Sequence, residues 1–147
     1  MFMTGSPQID AERAFAHAAR GRRRAELIRR LRRYCIECGH LQVFDPATLG
    51  RPSVIGGRLR ILEIPLDSIH GTLEPSRAAQ FDRGFRPASR TRGRWLRVWL
   101  AEQRGMVLPP ISVVSVGDGY AIRDGHHRVS VAKARGALSI DAMIEAA

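Results

Sequence analysis

The segment from Tyr120 to Gly136 constrains the fold more than any other part of this chain, because it predicts a strand, an abrupt polar elbow and a short helix in immediate succession. The Gly-Asp-Gly turn at 117–119 contains residues that accept positive φ, and it predicts that the strand pairs with the one before it. Small and branched apolar residues supply one side of the helix, and Gly136 is placed to end it. The pattern predicts a strand–turn–strand–helix unit around which the chain is organised.

The elbow between that strand and helix, from Asp124 to Arg128, has the chemistry of an anion site. Backbone N–H groups in the first turn of a helix have no intrahelical acceptor and carry the positive end of the helix dipole. Gly125 lets a ligand approach the backbone, and the His126 and His127 imidazoles add donors. Arg128 offers a planar fork, so we expect a nucleotide phosphate to bind here. The alternative is that Asp124 only caps the helix and that the two histidines are ordinary polar residues near the surface.

The same five residues, followed by a helix of small residues, resemble the signature of the ParB N-terminal / sulfiredoxin-like superfamily, also called the ParB-like nuclease domain. The stretches at 61–69 and 108–114 resemble its first strand and the strand that precedes its elbow, so the resemblance covers about residues 60 to 147. It implies an α/β (α+β) domain with a small mixed sheet and flanking helices. It also implies binding of a nucleoside di- or triphosphate such as ATP, ADP or CTP, with Mg²⁺ as a candidate companion.

The resemblance also assigns roles to individual residues. The elbow is most similar to that of free-serine kinases, whose Asp-Gly-His-x-Arg motif makes Asp124 a candidate for phosphoryl transfer or hydrolysis. Relatives carry a functional Arg, and some a Glu, after the first strand. Arg77 is therefore a candidate phosphate ligand, and Glu74 is a candidate general base or metal-facing acid, with a solvated loop acid as its alternative. Sulfiredoxins have a catalytic Cys where this chain has His126, so their chemistry is not expected, whereas the two residues after it match nucleotide-binding positions.

The net charge of +10 is concentrated in the first part of the chain. Residues 1–60 hold twelve arginines against five acids, a net of +7, whereas residues 61–147 carry a net of +3. Two helices are predicted there: one capped by Asp10 and weakened at Gly21, and a second from Arg24 to about Tyr34 with an apolar stripe at helical spacing.

The arginines of this basic region suggest a competing function, a non-catalytic DNA- or RNA-binding or regulatory module. An arginine-rich amphipathic helix can bind nucleic acid or an acidic membrane surface. The alternative is a solvated face of a helix that packs on the domain. The candidate nucleic-acid contacts are Arg22, Arg23, Arg29, Arg30 and Arg33.

A turn-rich connector at 45–57 is the predicted boundary between a basic helical appendage, residues 1–57, and the main domain, residues 58–147. Trp95 and Trp99 are favoured as core residues over a base-stacking role. The main domain is predicted to contain strands at 59–66, 108–116 and 119–123, a helix at 90–103, a strand or short helix at 137–144, and a polar irregular stretch at 70–88.

Cys35 and Cys38 have the spacing of zinc ligands, but two cysteines need His17 and His40 to complete a closed four-ligand site. Ordinary thiols are favoured over a metal or redox pair, and no metal site is assigned. The low cysteine content agrees with a reducing compartment, and the N-terminus lacks the layout of a secretory signal. No run of about 18 apolar residues suits a membrane span. Cytoplasm is therefore the expected location.

Overall fold

The described residues form a mixed β-sheet against which helices pack. The computed structural model describes residues 3–33, 37–49 and 59–145. The expectation of an α+β domain with a mixed sheet and flanking helices is confirmed. The helices and strands, in chain order, are α1 (Pro7–Leu31), β1 (Gln42–Val43), β2 (Arg60–Pro65), β3 (Ile69–Thr72), α2 (Pro75–Ala78), α3 (Arg92–Gln103), β4 (Ile111–Val116), β5 (Gly119–Asp124), α4 (His126–Ala134) and β6 (Ser139–Glu145).

The sheet of the described residues has six strands in the order β1-β3-β5-β4-β6-β2. β4 and β5 form the predicted antiparallel hairpin at its centre, and β3 and β6 flank that hairpin in parallel. The hairpin is buried on both faces, with Val113 and Ile122 in one apolar cluster and Val114 and Ala121 in another. Because β3 and β5 are parallel neighbours, their carboxyl ends meet at the same edge, beside the elbow.

α1 is one continuous helix, so the expected division into two helices near Gly21 is wrong. Glycine within a helix costs about 1 kcal/mol relative to alanine, and packing of the helix offsets that cost. Gly21 also lets the Arg86 side chain approach the helix closely, because a Cβ at Gly21 would lie 3.1 Å from Arg86 Cδ. Arg86 Nη1 donates to the Gly21 carbonyl at 3.2 Å. Tyr34, the expected end of the second helix, lies outside the described residues.

The N-cap of α1 is Ser6, so the expected capping role of Asp10 is wrong. Asp10 lies one turn further along, where its carboxylate accepts hydrogen bonds from the Thr4 N–H (2.9 Å) and the Thr4 hydroxyl (2.8 Å). It therefore fastens the preceding residues to the first turn of the helix. Neither α1 nor another helix of the described ranges is both long and apolar enough to cross a membrane.

The apolar side of α1 packs against α3 and forms, together with α4, a second core beside the sheet. Trp95 and Trp99 are buried there, which confirms the core role expected of them. Trp95 Nε1 donates to the Ser130 hydroxyl at 2.9 Å, and the Phe15 ring meets Trp95 edge-on with centroids 5.4 Å apart. Residues 50–57 of the connector lie outside the described part of the chain, and the division between residues 57 and 58 stays a prediction.

Three elements of the main domain refine the sequence prediction. β3 begins at Ile69 and continues into a stretch predicted as irregular, because four residues that include a glycine are too few to show alternation. β4 begins at Ile111 rather than Leu108, since the two prolines before it have no N–H to donate to a strand ladder. The stretch near the C-terminus is a strand, β6, which settles the choice between strand and helix.

Arg22 is buried and ties α1 to the segment that follows α2. Its guanidinium donates to Glu26 Oε1 at 3.0 Å, to the Ala79 carbonyl at 3.0 Å and to the Arg86 carbonyl at 3.5 Å. We expect Arg22→Gln to lower the free energy of unfolding by about 2–3 kcal/mol, because these acceptors lose a charged donor. The exposed neighbour Arg23 offers the matched control, Arg23→Gln, with a change below about 0.5 kcal/mol. Urea denaturation measures both, and equal stability of the two variants would contradict this anchoring role.

Candidate functional site

The elbow forms where β5 passes into α4. Gly125 is the N-cap of α4 with a φ of 113°, a left-handed conformation that L side chains rarely adopt. A Cβ there would lie 2.5 Å from Ile111 Cγ2, so the backbone can pass this close to β4 only at a glycine. The Val129 N–H bonds to the Gly125 carbonyl at 3.0 Å and begins the helical ladder. The N–H groups of the three residues before Val129 therefore have no intrahelical acceptor.

The elbow lines a cavity of about 390 Å³, a size typical of small-molecule sites. It lies where the parallel strands β3 and β5 end, and the carboxyl ends of strands are the usual position of ligands in open α/β sheets. Val98, Leu108 and Pro109 give it an apolar wall. Its charged lining has more arginines than carboxylates: Arg77, Arg94, Arg123 and Arg128 against Glu74 and Asp124.

Arg128 makes most of its visible contacts with the protein itself. Its Nη1 donates to the carbonyls of Pro109 and Pro110, the latter at 2.8 Å, and its Nη2 donates to Asp124 Oδ2 at 2.7 Å. The side chain is only 15% exposed. Arg128 thus holds the segment before β4 against the elbow, and its expected phosphate contact stays a prediction.

His126 connects the elbow to the end of β3. Its Nε2 lies 2.7 Å from the hydroxyl oxygen of Thr72, a fully buried residue. The same oxygen accepts a hydrogen bond from the Glu74 N–H at 2.9 Å. The Phe81 ring stacks on His126, with centroids 6.3 Å apart, and meets the His127 ring edge-on at 5.2 Å. Both imidazoles are therefore held in fixed positions by side chains distant in sequence.

Both imidazoles are neutral at pH 7. Burial, and after it the positive charge of Arg77, lowers the pKa of His126 from 6.5 to about 4. Burial, followed by the charges of Arg94 and then Arg77, likewise lowers the pKa of His127 to about 4. Asp124 raises the pKa of both rings and only partly opposes these effects. Each neutral ring presents one N–H donor and one acceptor nitrogen, in a positive electrostatic environment.

Arg94 is a cavity residue that the sequence pattern did not single out among the arginines of α3. It is exposed and makes no hydrogen bond or ion pair with the described residues. Its neighbour on the helix, Arg92, instead pairs with Glu12 of α1. Arg77, on α2, also lines the cavity, and it donates to Gln80 Oε1 at 3.1 Å. The four-residue spacing from Arg94 to Val98 is the sequence signal, because it places both on one side of α3.

The two candidate catalytic carboxylates both line the cavity. The Asp124 side chain is 69% exposed and pairs with Arg128, and the Glu74 side chain is exposed. Arg123 pairs with Glu145 Oε2 at 2.6 Å, so part of its charge is balanced. Within the described ranges, no group of three or more His, Cys, Asp or Glu residues lies close enough to hold a metal ion. Any metal at the cavity would need further oxygen ligands, such as water, besides these two carboxylates.

The structure separates the five candidate nucleic-acid contacts of α1. Arg22 is buried and bonded within the protein, whereas Arg23, Arg30 and Arg33 are exposed. Arg29 is half-buried beside Gly39, where an added Cβ would collide with its guanidinium. Nucleic-acid binding stays a prediction.

The two cysteines with the spacing of zinc ligands cannot be compared: Cys38 is exposed, and Cys35 lies outside the described residues.

In sequence comparisons, no family model and no curated protein matches this chain. Among solved structures, the chain is similar to the crystal structure of sulfiredoxin from Arabidopsis thaliana. The two chains are 20% identical, the match covers 60% of this chain and 86% of that chain, and the TM-score is 0.45. A TM-score below 0.5 supports no inference about activity, so the function of the cavity rests on its own geometry.

The lowered pKa values predict a loss of stability in acid. Because both folded-state pKa values lie below the unfolded value of 6.5, the unfolded chain binds more protons between pH 6.5 and about pH 4. Stability is therefore complete above this window and falls as the pH decreases through it. We expect the double variant His126→Gln, His127→Gln to lose about 3–4 kcal/mol less free energy of unfolding than the parent between pH 7 and about pH 5, because each ring contributes about 2 kcal/mol.

Urea denaturation at the two pH values measures that difference, and carboxylates elsewhere contribute equally to both proteins. NMR titration of the two imidazoles supplies a direct check in the parent chain. Ordinary pKa values near 6.5 in the folded state would contradict the electrostatic account.

Proposed function

We propose that this chain binds a phosphorylated ligand, a nucleoside di- or triphosphate, in the cavity at the start of α4. One observation carries the proposal: the first turn of α4, with its N–H groups free of intrahelical acceptors, lines the same cavity as Arg77 and Arg94, and Arg94 has no ion-pair partner among the described residues. A helix N-terminus and two guanidinium groups at one cavity form a multidentate site for phosphate oxygens.

The charges around the histidines agree with an anionic ligand. Burial is the largest cause of the neutral state of both rings, and Arg77 and Arg94 add positive charge near them that Asp124 opposes. A phosphate would supply the missing negative charge, and the neutral imidazoles would remain available as hydrogen-bond donors. By linkage, bound phosphate should in turn raise the pKa of both rings.

The apolar wall supports a nucleoside rather than inorganic phosphate alone. Val98, Leu108 and Pro109 line the same cavity as the arginines, and a base or ribose would remove these side chains from water. Arg128 supports the arrangement by holding the Pro109 carbonyl while adding positive charge to the elbow. ATP, ADP and CTP are the nucleotides to compare.

The cavity is also compatible with phosphoryl transfer or hydrolysis. Mg²⁺ in nucleotide sites is held by one or two carboxylates together with phosphate oxygens, and Asp124 and Glu74 supply that number. Such an ion would help to neutralise phosphate charge. In this proposal, Asp124 acts as general base or positions the metal, and Glu74 is the next candidate.

Removing Arg77 or Arg94 tests the binding proposal. We expect Arg77→Ala and Arg94→Ala each to raise the nucleotide Kd by one to two decades, because a charge-assisted contact contributes about 1.5–3 kcal/mol. Arg90→Ala is the matched control, since Arg90 is exposed close to α3 but does not line the cavity. Calorimetric titration with ATP, ADP and CTP, with and without Mg²⁺, measures these affinities.

Two results of these titrations would contradict the proposal: a parent chain that binds none of the nucleotides, or an Arg94→Ala variant that binds as tightly as the parent. Arg128→Ala should also weaken binding, but it releases the Pro109 and Pro110 carbonyls at the same time. Substituting Gly125 is less informative still, because a side chain there collides with Ile111 in the core.

A separate variant tests catalysis. We expect Asp124→Asn to reduce phosphate release from the bound nucleotide by about 10²–10⁴-fold, because the amide cannot accept a proton as the carboxylate does. Nucleotide affinity should change little, since Asn still offers Arg128 an acceptor oxygen. Asp118→Asn, in the exposed turn before β5, is the control. Normal turnover of the Asp124→Asn variant would leave Asp124 only its structural role as the partner of Arg128.

A further inference from the structure

The solvent-facing side of α1 is strongly basic because the acidic residues of the helix contact other parts of the protein. The three acidic residues of the helix contact Thr4, Arg92 and Arg22, respectively: they are Asp10, Glu12 and Glu26. Five exposed arginines of the helix make no ion pair within the described part of the chain: Arg13, Arg20, Arg23, Arg24 and Arg30. At 3.6 residues per turn these five lie on one side of the helix, called here the basic face.

Three large aliphatic side chains lie on or beside the basic face near the end of α1. Leu27, Ile28 and Leu31 are 57%, 42% and 76% exposed. They do not belong to the buried side of the helix, which consists mainly of alanines and Phe15 packed on α3. Arginines lie on either side of these aliphatic residues. The same surface therefore combines positive charge with exposed apolar area, and it suits a partner that is both anionic and apolar.

We propose that the basic face of α1 lies on the surface of an anionic lipid bilayer. Lipid phosphates offer partners to the arginines, and the boundary of the acyl chains offers an apolar environment to Leu27, Ile28 and Leu31. Arginine side chains are long enough to keep their charged ends among the headgroups while neighbouring aliphatic groups lie deeper. The helix lies along the membrane without crossing it, and the domain behind it holds it in place.

Other occupants fit these two requirements less well. A second copy of the same face would bring arginines against arginines, which is repulsive. The phosphates of DNA or RNA would satisfy the arginines but would leave the aliphatic side chains without an apolar partner. An acidic protein segment needs both acids and apolar groups at matching positions, whereas a bilayer presents both everywhere on its surface.

Co-sedimentation with vesicles tests the proposal on the full chain. We expect binding to vesicles of phosphatidylcholine mixed with phosphatidylglycerol, weak binding to phosphatidylcholine alone, and weakening by salt. The triple variant Leu27→Gln, Ile28→Gln, Leu31→Gln keeps every charge and replaces only exposed side chains. It should partition into anionic vesicles at least about tenfold less, because it loses the apolar part of the interaction.

A second triple variant, Arg20→Gln, Arg23→Gln, Arg24→Gln, should lose the preference for anionic over neutral vesicles. Leu138→Gln and Arg104→Gln are matched controls, since both residues are exposed and lie outside α1. Both controls should bind vesicles as the parent does. Circular dichroism checks that all variants keep their helix content.

Three results would overturn the proposal. A parent chain that stays in the supernatant with anionic vesicles would exclude the membrane as the partner. The Leu27, Ile28 and Leu31 variant could bind as well as the parent, which would reduce the interaction to unspecific charge attraction. Finally, duplex DNA or polyglutamate, titrated in parallel, could bind the parent more tightly than the anionic vesicles do and identify a different partner.

Discussion

The close passage of the backbone at Gly125 over Ile111 is the constraint on which the site depends. A side chain at this position would overlap the core, and the φ of 113° excludes most residues as well. This turn lets α4 start directly at the end of β5, and it brings His126 against Thr72 of β3. It also lets Arg128 reach the carbonyls before β4. Segments far apart in sequence thus meet at one helix N-terminus.

Electrostatics then gives this junction its chemical character. Buried, stacked histidines would be ordinary polar residues of a core if nothing else surrounded them. Here Arg77 and Arg94 add positive charge near the two rings, which burial already keeps neutral. The carboxylate of Asp124 pairs with Arg128. A folded protein tolerates such an excess of positive charge at a solvent-accessible cavity, where water or an anion can balance it. This excess of positive charge is the reason for which we propose phosphate as the ligand.

The local parts of this structure could be predicted from the sequence, and the long-range parts could not. The hairpin, the elbow and α4 follow from a Gly-containing turn and short-range periodicity, because each depends on neighbours a few residues away. The Thr72 contact with His126 joins residues on two strands, and no local pattern indicates it. Arg94 is one of several arginines on α3, and only the packing of the helix determines that it lines the cavity. The expected break at Gly21 failed because tertiary packing overrode helix propensity.

The central claim is that the first turn of α4 binds phosphate, and backbone amide NMR during a nucleotide titration tests it most directly. We expect the largest chemical-shift changes at the N–H groups of His126, His127 and Arg128. We also expect both imidazole pKa values to rise as nucleotide saturates the site. Shifts confined to another surface, such as the arginines of α1, with the three elbow amides unchanged, would contradict it.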